Sequence, residues 1–253
     1  MSTPVVLVPG MLCGPTLWTH VRDRLHAPTV DVAIDAPDIA RMAEGVLASA
    51  PDRFVLGGLS LGAIVGFEVL RRAPDRVAGF CAISTNASAP RPDQHSLWRT
   101  MSERTEAGGF DGVVRDDLLP AMFADTEPGP ELARTFTAMA HEVGPESFLR
   151  QLAAQATRTD AHTVLGRVRC PTLVVCGSED ALCPPRVNRA VADSVPGSVF
   201  RILAGAGHLC TLEQGRQVAD LLNDLTSIVD RTEDAPPPRT SRVTRLHQQR
   251  GTP

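Results

Sequence analysis

Three features of the sequence predict an α/β architecture with a minimal, mostly parallel sheet of about six strands and helices on both faces. From Pro4 to Ile83, short apolar runs alternate with amphipathic stretches, the pattern of strands joined by crossover helices. Between about Ser84 and Arg167 that alternation stops and only helical periodicity appears, so a helical block is inserted in the sheet. At Pro171 the strand pattern resumes, and an amphipathic helix follows. The expected division is a core of residues 1–85 and 166–230, a helical cap of residues 86–165, and a tail of residues 231–253.

Pro4-Val-Val-Leu-Val8 is continuously apolar, as a strand buried on both faces should be. After a Pro9-Gly10 break, Leu17 to Leu25 suggests a short helix, and Thr29 to Ile34 a second strand. Pro37 suits a helical first turn, with Ile39, Met42, Ala43, Val46 and Leu47 at helical spacing behind it. Arg53 to Leu56 reads as strand three and Val77 to Ile83 as strand four. The insert carries helical patterns at 94–106, 110–123, 131–141 and 147–156, separated by Gly and Pro. Pro171 to Cys176 and Ser198 to Leu203 complete the strands, Arg186 to Val195 reads as a helix between them, and Glu213 to Val229 as the closing helix. From Arg231 onward, Pro236-Pro-Pro238 and five arginines against Glu233 and Asp234 read as a disordered basic tail.

The chain has 253 residues and a net charge of −4, so nothing points to nucleic acid. All 25 basic residues are arginine, and tyrosine is absent. Schiff-base lysines, Ser-Lys dyads, P-loop lysines and catalytic tyrosines are thereby excluded. The six cysteines lack paired C-x-x-C spacing, which argues against a metal site or a disulfide scaffold. No signal peptide or apolar run of membrane-spanning length is visible, and a cytoplasmic protein with reduced thiols is expected.

The chemistry centres on Gly58-Leu-Ser-Leu-Gly62, a G-x-S-x-G turn between a buried strand and a helix. Glycines flank Ser60 because a Cβ there would collide with the strand or helix. Serine needs a base, itself oriented by a carboxylate. Among seven histidines, His208 lies in Gly205-Ala-Gly-His208, just after the last strand. Asp180 ends Gly177-Ser-Glu-Asp180, just after the strand before it, with Glu179 as the runner-up acid. All three candidates stand at carboxyl ends of parallel strands, where open α/β sheets bind ligands. An oxyanion hole needs two N–H donors. Leu61, following the serine, is one; Met11, in the loop after strand one, is the other, with Leu12 as its substitute.

The order Ser60, Asp180, His208 belongs to α/β-hydrolases. Val-Pro-Gly-Met-Leu-Cys-Gly, Phe-Val-Leu-Gly-Gly-Leu-Ser-Leu-Gly-Ala, Ala-Pro-Asp-Arg-Val, Val-Val-Cys-Gly-Ser-Glu-Asp and Gly-Ala-Gly-His carry the same resemblance over residues 4–230. The chain resembles the large esterase-like group of that family, near the carboxylesterases acting on pimeloyl-type esters. The resemblance implies a helical cap, a Ser60–His208–Asp180 triad and no cofactor or metal. Two departures stand out. Pro9-Gly10 replaces the His-Gly of many relatives, and nothing before Pro4 can form the antiparallel hairpin that opens larger members. Serine at the elbow disfavours dehalogenases and epoxide hydrolases, which use aspartate.

The function so implied is hydrolysis of a small-to-medium carboxylic ester or thioester through an acyl-enzyme on Ser60, with a small acyl compound as partner. Acyl transfer, cyclisation, C–C hydrolysis, or non-catalytic binding on the same scaffold are the alternatives. The acyl group, the oligomeric state and the pathway stay open. Cys13, Cys183 and Cys210 lie near Met11, Asp180 and His208, either as small packing residues or as thiols at the site's mouth.

Overall fold

The computed structural model describes residues 2–125 and 128–233. Six strands form one wholly parallel sheet: β1 (Val5–Val8), β2 (Thr29–Asp31), β3 (Phe54–Leu59), β4 (Val77–Ile83), β5 (Thr172–Gly177) and β6 (Val199–Leu203). Their order is β2-β1-β3-β4-β5-β6. The chain enters the sheet at β1, one strand in from the edge, moves out to β2 and crosses back to β3. The direction of travel therefore reverses between β1 and β3, and the loops leaving those two strands flank a crevice at the carboxyl edge.

Alternation along the strands builds two apolar layers. Val5 and Leu7, with Val55, Leu59, Cys81 and Ile83, face a layer closed by Val218, Leu222, Leu225 and Val229 of the last helix (Gly215–Glu233). Val6 and Val8, with Phe54, Leu56, Phe80 and Ala82, face the helices Ile39–Ser49 and Leu61–Arg72. Side chains of successive strand residues point to opposite faces, so strands covered on both sides are apolar throughout.

Several boundaries differ from the sequence reading for identifiable reasons. β3 runs two residues past Gly57, to Leu59, because Gly57 and Gly58 pair with β1 on one side and β4 on the other. β2 is an edge strand with one neighbour and ends at Asp31, although Val32 N–H still donates to Leu7 O at 3.1 Å. The helix after it starts at Ile39, two residues beyond Pro37. Asp38 is its N-cap, accepting from Arg41 N–H at 2.8 Å. The third and fourth helical patterns of the insert run together as Pro130–Thr157, broken at Gly144, which has φ 79°. The closing helix is preceded by a separate turn, Cys210–Glu213, and extends to Glu233. The expected disordered tail otherwise lies outside the described residues.

The insert, from Pro92 to Leu165, is helical throughout its regular elements and packs over the carboxyl edge of the sheet. Its apolar residues Trp98, Met101, Leu118, Met122, Phe123, Phe136, Met139, Phe148 and Leu152 are all buried. Among the described residues no helix is long and apolar enough to cross a membrane.

Leu222 is fully buried at the centre of the layer under the closing helix. Leu222→Ala should lower stability by about 2–5 kcal/mol, read as a drop in urea midpoint at constant m-value.

Candidate active site

Ser60 stands between β3 and the helix Leu61–Arg72 with φ 53° and ψ −113°, a conformation that costs a non-glycine residue roughly 1–3 kcal/mol. Its neighbours hold it there. Ser60 N–H donates to Ile83 O at 2.8 Å, and the Thr85 hydroxyl donates to Ser60 O at 3.0 Å. The glycine two residues on is required by close approach: a Cβ on Gly62 would overlap the carbonyl oxygen of Val8 and stand 2.5 Å from that of Pro9. The helix thus starts pressed against the end of β1. Ser60 is its N-cap without a side-chain capping bond, and Leu61 opens its first turn, where N–H groups have no intrahelical acceptor.

The acid and base come from the exits of β5 and β6. Asp180 Oδ1 accepts from Leu182 N–H at 3.0 Å and Cys183 N–H at 2.8 Å, and both Asp180 oxygens lie 3.0 Å from His208 Nδ1. Both residues are buried. A carboxylate that accepts two backbone N–H groups acts as an acceptor toward the ring as well, so Nδ1 is the nitrogen that donates, and in the neutral ring Nε2 is left with the lone pair. Glu179 is exposed and accepts instead from the Ser178 hydroxyl at 2.9 Å. Of the two adjacent carboxylates, the structure brings Asp180 to the histidine.

Ser60 Oγ and His208 Nε2 have no hydrogen-bond partner among the described residues, each other included, and neither is a buried orphan atom. Both therefore open onto accessible space on the same edge of the sheet. Separations of this kind close when substrate binds.

The intervening loops are tied together by residues the sequence did not single out. Asn188, fully buried, accepts from Thr85 N–H at 2.9 Å and donates to Cys183 O at 2.6 Å, joining the exits of β4 and β5. Glu213 accepts from Gly207 N–H at 2.7 Å and from Ala124 N–H at 2.9 Å, joining the histidine loop to the cap. Leu209 N–H donates to Met122 O at 2.8 Å beside it. A side chain on Gly207 would overlap the backbone of Phe123, so this junction needs glycine too.

At the exit of β1, Cys13 N–H donates to Gly10 O at 3.2 Å and closes a tight turn around Met11 and Leu12. A Cβ built on Gly10 would lie 3.6 Å from Ser60 Cβ, which puts the turn beside the serine. The backbone N–H of Leu12 is taken by Gln151 Oε1 at 3.0 Å, whereas that of Met11 has no partner among the described residues. Of the two candidates in the turn, Met11 retains an available donor. Leu12, Ser60 and Ser84 are the positive-φ residues other than glycine among those described, and they stand at the exits of β1, β3 and β4. Local strain is thus concentrated around the serine.

Volume alone points elsewhere. A groove of about 1230 Å³ lies at the opposite, amino end of the sheet, lined by Val77, Thr172 and Val199, far from these side chains. Among the described residues no group of three His, Cys, Asp or Glu side chains could hold a metal ion.

Residues 5–221 match the model of the alpha/beta hydrolase family. The chain belongs to the α/β-hydrolase family. A relative from Escherichia coli (strain SMS-3-5 / SECEC), named a carbamate hydrolase, RutD, is 27% identical over 217 residues, covering 81% of this chain and 78% of that one. A thermophilic esterase from Thermogutta terrifontis, solved with malate bound, is 28% identical with a TM-score of 0.83, covering 90% of this chain and 91% of that one. The enol-lactonase from Burkholderia xenovorans LB400, at 18% identity and a TM-score of 0.80 over 90% of this chain and 92% of that one, shares the fold. This α/β-hydrolase is accordingly a hydrolytic enzyme.

The cysteines near the site are packing residues. Cys13, Cys183 and Cys210 are buried, and burial pushes each thiol up to about 12, with Asp180 adding to the rise at Cys183 and Cys210. A thiolate is the reactive form, so these groups stay inert near neutrality. Iodoacetamide at pH 8 should modify at most the half-buried Cys170 in the folded protein, as peptide mass mapping would show. Alkylation of Cys13, Cys183 or Cys210 without unfolding would contradict this.

Proposed function

We propose that this α/β-hydrolase is a serine hydrolase that cleaves a small-to-medium carboxylic ester or thioester through an acyl-enzyme on Ser60. The observation that carries the proposal is the buried His208–Asp180 pair, whose free Nε2 opens on the same sheet edge as the strained Ser60 elbow.

Ser60 Oγ attacks the carbonyl carbon as its proton passes to His208 Nε2. The carbonyl oxygen becomes an oxyanion and takes hydrogen bonds from the N–H groups of Met11 and Leu61, the second reinforced by the helix N-terminus. Collapse of the tetrahedral intermediate breaks the bond to the leaving alkoxide or thiolate, which departs with the proton from Nε2. Water, deprotonated by His208, then attacks the acyl-enzyme; acid is released, and Ser60 regains its proton. Asp180 holds the ring in one tautomer and stabilises the imidazolium in both half-reactions. A relative named a carbamate hydrolase and a neighbour that is an esterase support a carbonyl substrate with a heteroatom leaving group.

A fluorophosphonate should label Ser60 stoichiometrically, and Ser60→Ala should abolish both labelling and turnover. An unlabelled wild-type protein overturns the reading and leaves a binding protein on a hydrolase scaffold. Asp180→Asn should reduce kcat on p-nitrophenyl butyrate about 10³–10⁴-fold, because Nδ1 then loses its acceptor and the wrong tautomer faces Ser60. A panel of p-nitrophenyl esters and acyl thioesters of graded chain length identifies the acyl group.

A further inference from the structure

We infer that Gln151, a residue of the cap, is the positioning residue for the oxyanion turn: its side-chain amide fixes the Met11–Leu12 peptide, and with it the turn whose first N–H, that of Met11, is the candidate donor to the substrate oxygen. The inference rests on the serine-hydrolase reading above.

The turn Gly10–Cys13 is closed by Cys13 N–H donating to Gly10 O. Its second residue, Met11, is not among those with positive φ, whereas its third, Leu12, has φ 58°. Negative then positive φ is the pattern of a type II turn, where the third position favours glycine or asparagine. A leucine there prefers type I, which differs from type II mainly by a half-rotation of the central peptide, here Met11–Leu12. Some contact must therefore hold that peptide against its local preference.

The contact is Gln151. Leu12 N–H donates to Gln151 Oε1 at 3.0 Å, and Gln151 Nε2 donates to Ile34 O at 3.0 Å, with Gln151 only 2% exposed. One partner is a donor and the other an acceptor, which forces the amide orientation. A neutral amide satisfies both from one group; an ionised carboxylate only accepts, and an aliphatic side chain does neither. Without the amide, the Leu12 N–H is left buried and unpaired, and rotation of its peptide becomes the way to relieve it. A cavity of about 390 Å³, lined by Cys13 and Gly14 on one side and Glu142 and Gln151 on the other, adjoins the end of the turn. Rotating the Met11–Leu12 peptide reverses the Met11 carbonyl and loosens the turn next to the Met11 N–H, which itself belongs to the Gly10–Met11 peptide.

The neighbouring residue supplies the control. Arg150 docks the same cap helix onto the same loop through Asp35, at 2.6 and 3.0 Å, on the surface and without touching the turn. Both residues fasten the cap to the core; only Gln151 also holds the peptide that follows the Met11 N–H.

The test measures kcat and KM on p-nitrophenyl butyrate, with fluorophosphonate labelling rate and Tm, for wild type, Gln151→Leu, Gln151→Glu and Arg150→Gln. Gln151→Leu should lower kcat and labelling rate together by about 10–100-fold, less than outright loss of an oxyanion donor, with KM within about twofold. Gln151→Glu keeps an acceptor for Leu12, and protonated it also donates to Ile34, so it should recover most of kcat, increasingly so at lower pH. Arg150→Gln should lower Tm slightly and leave kcat within about twofold of wild type. If Gln151→Leu does not fold, Gln151→Met carries the same expectation. Unchanged kcat in the apolar variant, an effect confined to KM, or equal losses in all three variants would overturn the inference. A wild type that takes no label would instead overturn the hydrolase reading itself.

Discussion

The approach of the elbow helix to the end of β1 is the contact on which the site depends. Only the absence of a side chain at position 62 lets the helix start against the carbonyls of Val8 and Pro9. That approach brings the loop after β1 beside Ser60 and turns the first N–H groups of the helix toward the same point. The strain at Ser60 follows from it, because a strand that must reverse into a helix within one residue has no relaxed conformation available. It persists because the bonds to Ile83 and Thr85 hold the residue on both sides.

Around that contact the enzyme is assembled from loops rather than from regular elements. Each candidate site residue leaves the carboxyl edge of a different strand, and polar side chains tie these loops to one another and to the cap. Asn188 joins the exits of β4 and β5, Glu213 joins the histidine loop to the cap, and Gln151 joins the loops after β1 and β2 to it. A buried polar group costs free energy unless its hydrogen bonds are satisfied, so the two buried residues, Asn188 and Gln151, each specify one arrangement of their partners. Two of the three links involve the cap. The insert is thereby part of the scaffold that orients the loops of the candidate site as well as the cover above them.

The fold class was legible in the sequence because apolar runs at strand length, separated by helical periodicity, have few other solutions. The elbow was legible because glycine spacing around a serine reflects a steric demand made within five residues. His208 and Asp180 could be located through their places after strands, since the parallel sheet puts every strand exit on one edge. Local pattern missed the contacts between distant residues. Nothing in Gln151 or Glu213 marks them among the polar residues of amphipathic helices, and their roles depend on what the cap packs against. The extension of β3 through Gly57 and Gly58 was hidden for a similar reason: glycine reads as a break until neighbours on both sides supply its pairing.

By itself the sequence determined the elements and their parallel arrangement, which follow from periodicity, and named Ser60, His208 and the adjacent Glu179 and Asp180 as candidates from a steric motif and their places after strands. The tertiary structure decided between adjacent candidates. It turns Asp180 inward to two backbone N–H groups and the imidazole while leaving Glu179 in solvent. It commits Leu12 to Gln151 and leaves Met11 available. It buries the cysteines that lie near the site in sequence. Neighbouring residues share the same local preferences, so only the direction in which each peptide and side chain points after folding separates them.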